Sequence, residues 1–400
     1  MTEGMSWTRR TFVTASLAFP AVLKAGGGTE PLDEAMEGLL AKHEIPGGVL
    51  GIARAGKMAY AKGFGLANVN TGEKVSVESR FRLASVSKPI TATAVLKLCE
   101  QGRLSLDEAV LPKLELEPLS GKFGDSRWGQ ITVRHLLQHS GGWDKAKSGD
   151  PLFKSPEICR DAGIKGPASA RETVRWMLGR KLDFDPGSKF AYANFGYCVL
   201  GHLIERVTGQ SYETAVRRLV LNPCGASEMQ LGRSLEVLPN EVRYHEAGTA
   251  PSVFPQLGKR APWPYGAFSM EANAANGGWV ANVSDVLRFV ISMDEQSRKP
   301  LLARASLEAI YSSVAPGSGE ASYYGLGWMV RPRGQGGRPN LWHIGGLPGT
   351  KVIAVRLGDG FDWAVMFNAR PGGDADGFDR FNAEVQNTIH QAARKVERWG

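Results

Sequence analysis

Strand-like runs stand at both ends of this 400-residue chain, and helical periodicity fills its middle. Strands satisfy their backbone polar groups beside other strands, and this distribution suggests one sheet assembled from the two ends. Near the start, residues 47–53 and 57–64 read as two strands joined by a turn at Arg54-Ala55-Gly56, the pattern of a hairpin. Near the end, residues 325–330, 340–343, 351–356 and 363–367 are strand-like as well. The expected fold is α+β: an antiparallel β-sheet built from N- and C-terminal strands, flanked by helices, with a mostly helical insertion.

The intervening pattern fits that outline. Residues 32–43 read as an amphipathic helix stopped by Pro46, and a helix opening near Ser85 runs to about Gly102. Residues 107–223 are mostly helical in period, with Leu200, Leu203, Ile204 and Val207 on one face that Gly209 terminates. Residues 225–278 carry many Gly, Pro and aromatic residues and read as loops around a site, where Trp143, Trp263 and Tyr265 would line a pocket or pack beneath it. A helix over 284–293 and a polar helix over 374–399 close the chain. The expectation is one catalytic domain over 29–400, with an α/β part at about 29–105 and 280–400 and the insertion at about 106–279.

Composition bounds the partners. Apolar residues make up 42% and charged residues 22%, as in a globular protein that fills a core. Lys and Arg exceed Asp and Glu by 48 to 40, but the excess is scattered, with neither zinc spacing nor an aromatic-basic RNA motif, so no nucleic-acid partner is expected. Trp7-Thr8-Arg9-Arg10-Thr11-Phe12-Val13 and the short apolar stretch after it, to about Leu23, resemble a twin-arginine export signal over residues 1–28, or else are a plain basic N-terminus. Export would place the protein in the periplasm or outside the cell. That stretch is too short to span a bilayer, and no later segment is long and apolar enough. The four cysteines form no Cys-x-x-Cys pair, and Cys99 and Cys198 lie in apolar helical stretches as buried thiols.

Chemistry concentrates in three places. Ser85 is the only serine with a lysine three residues on, within Arg82-Leu83-Ala84-Ser85-Val86-Ser87-Lys88-Pro89. A serine hydroxyl is a weak nucleophile until a base takes its proton, and Lys88, one helical turn later, is within reach. Pro89 belongs in a first helical turn, which puts Ser85 at the N-terminus, where free N–H groups favour a developing negative charge; a plain N-cap serine is the competing reading. Tyr192-Ala193-Asn194 is the only Tyr-x-Asn, set just before a helix, and it too has a bland alternative, a turn with a buried aromatic. Trp342-His343-Ile344-Gly345-Gly346-Leu347-Pro348-Gly349 ends a strand with glycines that let a substrate approach the main chain.

The order Ser-x-x-Lys, Tyr-x-Asn, His-x-Gly, with Leu136-Leu137-Gln138-His139-Ser140-Gly141-Gly142, resembles the serine β-lactamase and penicillin-binding-protein superfamily. The nearer branch holds class C β-lactamases, D-Ala-D-Ala carboxypeptidases, D-aminopeptidases and β-lactamase-like esterases. The resemblance implies Ser85 as nucleophile, Lys88 as the group that helps remove its proton, and Tyr192 as the proton shuttle to the leaving group and from water. Asn194 would hold Lys88 and the substrate's carbonyl or amide, and the backbone N–H groups of Ser85 and Gly346 would form the oxyanion hole. A tyrosine ionises near pH 10, so shuttling calls for adjacent positive charge, which Lys88 can supply. Neither a metal nor a cofactor is implied. His135 and His139 stand a turn apart without the glutamate of a zinc helix, and Thr132 to Leu137 reads as a capped helix packed by its leucines.

One departure bears on substrate. Most β-lactamases carry Lys-Thr-Gly where this chain has His343-Ile344-Gly345; histidine is largely neutral at pH 7 and isoleucine donates nothing. His343 is thus expected to provide a weaker electrostatic subsite. The expected function is a serine hydrolase working through a covalent acyl-enzyme on esters or small amides. The alternatives are a D-Ala-D-Ala carboxypeptidase or class C-like β-lactamase, which the export signal favours, and a non-catalytic peptidoglycan-binding protein on the same scaffold. Its partner would be a small ester, amide or D-amino-acid peptide.

Overall fold

The computed structural model describes residues 28–297, 300–313, 321–333, 337–373 and 375–399. The paired arginines and their apolar stretch lie outside the described residues. Eight antiparallel strands form the main sheet, in the spatial order Glu73–Lys74, Lys57–Asn68, Gly47–Arg54, Phe361–Phe367, Thr350–Arg356, Asn340–Leu347, Met329–Arg331 and Tyr323–Tyr324. The chain ends meet where Gly47–Arg54 pairs with Phe361–Phe367, Gly51 opposite Ala364. Asn368 stitches this seam. Its side-chain oxygen accepts from the Gly47 N–H at 2.8 Å, and its amide donates to the Leu66 carbonyl at 2.9 Å.

Alternation along Gly47–Arg54 sends Leu50 and Ile52 to one face and Val49 and Ala53 to the other. The helices Glu30–Lys42 and Ala375–Arg394 cover the first face, burying Leu32, Met36, Phe381, Val385 and Ile389 against Trp363 and Val365. The helix Val283–Ser292 covers the second, and the helical part of the chain extends that core. Each fully buried aliphatic side chain stabilises by about 1.5–3 kcal/mol. With both faces covered, Thr350–Arg356 is buried at every position.

The α+β expectation holds, with instructive differences in detail. Residues 340–343 continue as a strand to Leu347, straight through two glycines, because Thr350–Arg356 pairs with it residue for residue. The run at 325–330 shortens to Met329–Arg331. A second sheet, Phe81–Arg82, Trp279–Ala281 and Gln230–Leu231, has strands of two or three residues, too short to show a period in sequence. It ties the segment before Ser85 to the loop region. The helix Asn194–Thr208 buries Leu200, Leu203 and Ile204 and ends at Gly209, whose φ of +68° suits a residue without Cβ. Among the described residues no helix is long and apolar enough to cross a membrane.

Candidate active site

Ser85 sits on a 3₁₀ turn, Ala84–Val86, that feeds into the helix Ser87–Glu100 with Pro89 in its first turn, where no intrahelical bond is lost. Ala84 adopts φ +47°, a left-handed conformation that costs a residue with Cβ about 1 kcal/mol or more. Tertiary contacts hold it there. The Leu83 N–H donates to the Trp279 carbonyl at 2.8 Å, the Trp279 N–H donates to Ser87 Oγ at 3.2 Å, and Thr91 Oγ1 donates to the Ala275 carbonyl at 2.6 Å.

Lys88 is fully buried. Its Nζ lies 3.0 Å from Ser85 Oγ, 2.7 Å from Asn194 Oδ1 and 2.9 Å from the Asn276 carbonyl oxygen. Loss of water holds its pKa well below that of ordinary lysine; Asp150 opposes that fall and Lys145 adds to it. A neutral amine has two hydrogens and one lone pair. Amide oxygens only accept, so in that form of Lys88 Asn194 and Asn276 take the two hydrogens and the lone pair is left for the Ser85 hydroxyl.

Tyr192 precedes the helix Asn194–Thr208. Its ring centroid is 4.2 Å from that of His139 and 4.9 Å from Lys88 Nζ, and its side chain hydrogen-bonds Ser85. The expectation that Lys88 lowers the phenol's pKa is not met: burial raises it above 10, and only the Ser85 hydrogen bond opposes the rise. The same desolvation that lowers the Lys88 pKa disfavours the charge that would stabilise a phenolate. Asn194 turns its oxygen to Lys88 and its amide nitrogen to Asp150 Oδ2 at 2.6 Å.

His343 is buried, with Nδ1 3.0 Å from the Ile344 carbonyl and Nε2 2.9 Å from the Tyr324 hydroxyl. A carbonyl only accepts, so Nδ1 carries the proton and Nε2 accepts from Tyr324. Burial pushes the imidazole down to about 3, so the ring is neutral. Both its nitrogens are engaged by the protein. Gly345 and Gly346 extend the same strand past the turn that carries Ser85. On the strand Asn340–Leu347, Met329–Arg331 pairs with Asn340, Leu341 and Trp342 and no farther, so from His343 onward no further strand lies beside it on this edge among the described residues. Successive residues of an antiparallel strand turn their N–H groups alternately to either side, which leaves donors at the open edge.

Ser85 and Tyr192 are half-buried, so the cluster reaches solvent. Aromatic rings rim it. Phe190 is 48% exposed and stacks on Tyr324 at 5.9 Å; Phe153, 43% exposed, lies 6.0 Å from Phe268, which joins Ala84 and Leu347 in an apolar cluster. Lys145 is exposed, with Nζ 5.6 Å from the Tyr192 ring, and makes no ion pair among the described residues. Trp143 packs beneath, against Trp128 and Phe195, and Tyr265 packs against Tyr244, while Trp263 is 38% exposed. His135 is a helix cap, its Nδ1 accepting from the Thr132 N–H at 3.3 Å, and no group of three or more metal-ligating side chains occurs among the described residues. Three neighbours were not legible in the sequence: Asp150, Asn276 and Tyr324. Asn276 contributes only a backbone carbonyl, and Asp150-Pro151 carries no more than a turn signal.

A family model described as Beta-lactamase matches residues 32–387. The chain belongs to the beta-lactamase family. Among similar proteins, Penicillin-binding protein 4* of Bacillus subtilis (strain 168) is 26% identical over 344 residues, covering 82% of this chain and 69% of that one. Esterase EstB of Burkholderia gladioli is 34% identical over 243 residues, 59% of each chain. The solved D-amino acid amidase of Ochrobactrum anthropi SV3 superposes with a TM-score of 0.69 at 21% identity, over 92% of this chain and 99% of that one, a likeness of fold. The relatives by sequence thus carry the names of a penicillin-binding protein and an esterase, and the amidase shares the fold.

Proposed function

We propose that this protein is a serine hydrolase that cleaves small esters or amides through an acyl-enzyme on Ser85. The observation that carries it is Lys88: buried, its pKa held well below that of ordinary lysine, and its Nζ set between two carbonyl-type oxygens at 3.0 Å from the serine hydroxyl. In acylation the Ser85 oxygen bonds to the substrate carbonyl carbon as its proton passes to Lys88 Nζ. The oxyanion faces the N–H groups of Ser85 and Gly346, and loss of one such donor costs roughly a hundredfold. Tyr192, neutral at rest and hydrogen-bonded to Ser85, passes the proton on to the leaving group, and the reverse relay activates water for deacylation.

Substrate preference follows from what surrounds Ser85. A buried, neutral His343 offers no charge to a carboxylate, and the exposed rings of Phe153 and Phe190 favour apolar acyl groups. Uncharged esters are therefore the favoured class, in line with the esterase among the relatives. A second reading, hydrolysis of carboxylate-bearing D-amino-acid peptides or β-lactams after export, is favoured by Lys145, which lies beside the Tyr192 ring and makes no ion pair among the described residues. Intact-mass spectrometry with a panel of p-nitrophenyl esters, D-amino-acid amides and nitrocefin tests both. The expected result is an acyl adduct on Ser85, absent in S85A, with short esters turned over fastest. Nitrocefin or a D-Ala-D-Ala peptide turned over far faster than the esters would reverse the ranking, and no adduct from any reagent would leave a binding protein.

A further inference from the structure

We propose that Asp150 is a positioning residue for this chemistry, setting which end of the Asn194 amide faces Lys88. The role rests on the acyl-enzyme reading and concerns the same site. A primary amide has nearly the same shape after a half-turn, so its oxygen and NH₂ exchange places unless neighbours tell them apart. Lys88 in the neutral form that can take the serine proton cannot do so, because an amine both donates and accepts. Asp150 can. Its Oδ2 lies 2.6 Å from Asn194 Nδ2, and a carboxylate oxygen only accepts, so the NH₂ end is drawn to Asp150 and the oxygen is left toward Lys88 at 2.7 Å.

The consequence falls on the proton. With Asn194 and the backbone carbonyl of Asn276 each taking an amine hydrogen, Lys88 keeps its lone pair for Ser85. With the amide reversed, an Asn194 N–H would occupy that lone pair, and Lys88 would donate to Ser85 instead of accepting from it. No bond-making step changes; only the direction of one hydrogen bond does. Asp150 is itself held in place, since its Oδ1 accepts from the Leu152 N–H at 3.1 Å as cap of the Pro151–Phe153 turn, which leaves Oδ2 aimed at Asn194. Its charge is also near enough to oppose the fall in the Lys88 pKa.

Asp150→Asn is the sharp test because shape is conserved and polarity is not. A single amide oxygen cannot serve both the Leu152 cap and Asn194; when it keeps the cap, NH₂ faces NH₂ and Asn194 turns over. Asp150→Ser is the second variant, able to cap but too short to reach Asn194. The assays are ester hydrolysis across pH, the rate at which a fluorophosphonate labels Ser85, and thermal melting. Expected for both variants is a fall of roughly a hundredfold in kcat and labelling rate with KM little changed, at the lower end of what a positioned proton acceptor supplies. The acid limb of the profile should move to lower pH, since a negative charge near Lys88 is gone, and melting should stay near wild type. Two variants that label as fast as wild type would overturn the role. So would a loss that tracks a lowered melting temperature with the acid limb unmoved, which marks a structural part only. A wild type whose Ser85 never labels would fell the acyl-enzyme reading itself, and this role with it.

Discussion

Replacing Gly345 by alanine asks whether the strand Asn340–Leu347 must lie against the turn that bears Ser85. A Cβ at this position would stand 2.2 Å from the Leu83 carbonyl oxygen and 3.3 Å from Ala84 Cβ, whereas real Cβ atoms essentially never come within 3.0 Å. The obstacle is backbone, tied by the Leu83 N–H to Trp279 at 2.8 Å, so it has no rotamer by which to swing aside. Strand and turn must separate by the difference between 3.0 and 2.2 Å, about 0.8 Å. Ser85, the proposed nucleophile, and Gly346, whose N–H is the second proposed oxyanion donor, sit on opposite sides of that contact. A misplacement near 1 Å costs roughly a hundredfold in rate, so kcat/KM for a p-nitrophenyl ester should fall by about that factor, mostly in kcat. Overpacking should also cost about 1–3 kcal/mol in stability. Gly129→Ala, where a Cβ meets nothing within 4 Å, is the control. Steady-state hydrolysis, fluorophosphonate labelling and urea melts measure all three quantities. Gly345→Ala within about threefold of wild type, at unchanged stability, would refute the claim that this close approach aligns the site.

Lys88→Met should slow fluorophosphonate labelling of Ser85 by about 10²- to 10⁴-fold while the protein stays folded, since an apolar side chain suits a fully buried position; labelling at the wild-type rate would remove Lys88 as proton acceptor. Wild-type activity should rise as pH climbs through the Lys88 pKa, which lies well below 10.5, so the acid limb appears far below the range of free lysine. His343 has its folded pKa near 3 against an ordinary 6.5, so the unfolded chain binds the proton first. Its contribution to stability is whole above pH 6.5 and is lost as pH falls toward 3. Urea titrations at a series of pH values should show a shallower loss over that window for His343→Gln. Asn368→Ala should cost about 1–3 kcal/mol in chemical denaturation, because the buried Gly47 N–H is left without its acceptor.

Much of the architecture is written in local pattern. The hairpin read at residues 47–64, the strands at 351–356 and 363–367 and the helix that Gly209 ends each follow from period, turn residues and stops, all of which are short-range properties. The three motifs likewise announce themselves by spacing, and the structure brings Ser85, Lys88, Tyr192 and Asn194 within hydrogen-bonding or ring contact of one another. What spacing misses are partners that act through the main chain or across long gaps. Asn276 is 188 residues from Lys88 and offers only a carbonyl, and Tyr324 meets His343 by way of an edge strand of two residues.

Sequence alone determined which side chains carry reactive groups and that strands lie toward both chain ends, because both are consequences of residue type and local period. Tertiary structure alone decided how those groups behave. Burial, a property of the whole assembled core, lowers the pKa of Lys88 and His343 and raises that of the Tyr192 phenol, and a carboxylate 44 residues from Asn194 accepts from its amide nitrogen. Solvation and hydrogen-bond direction depend on what surrounds an atom in three dimensions, and no reading of neighbours along the chain contains that information.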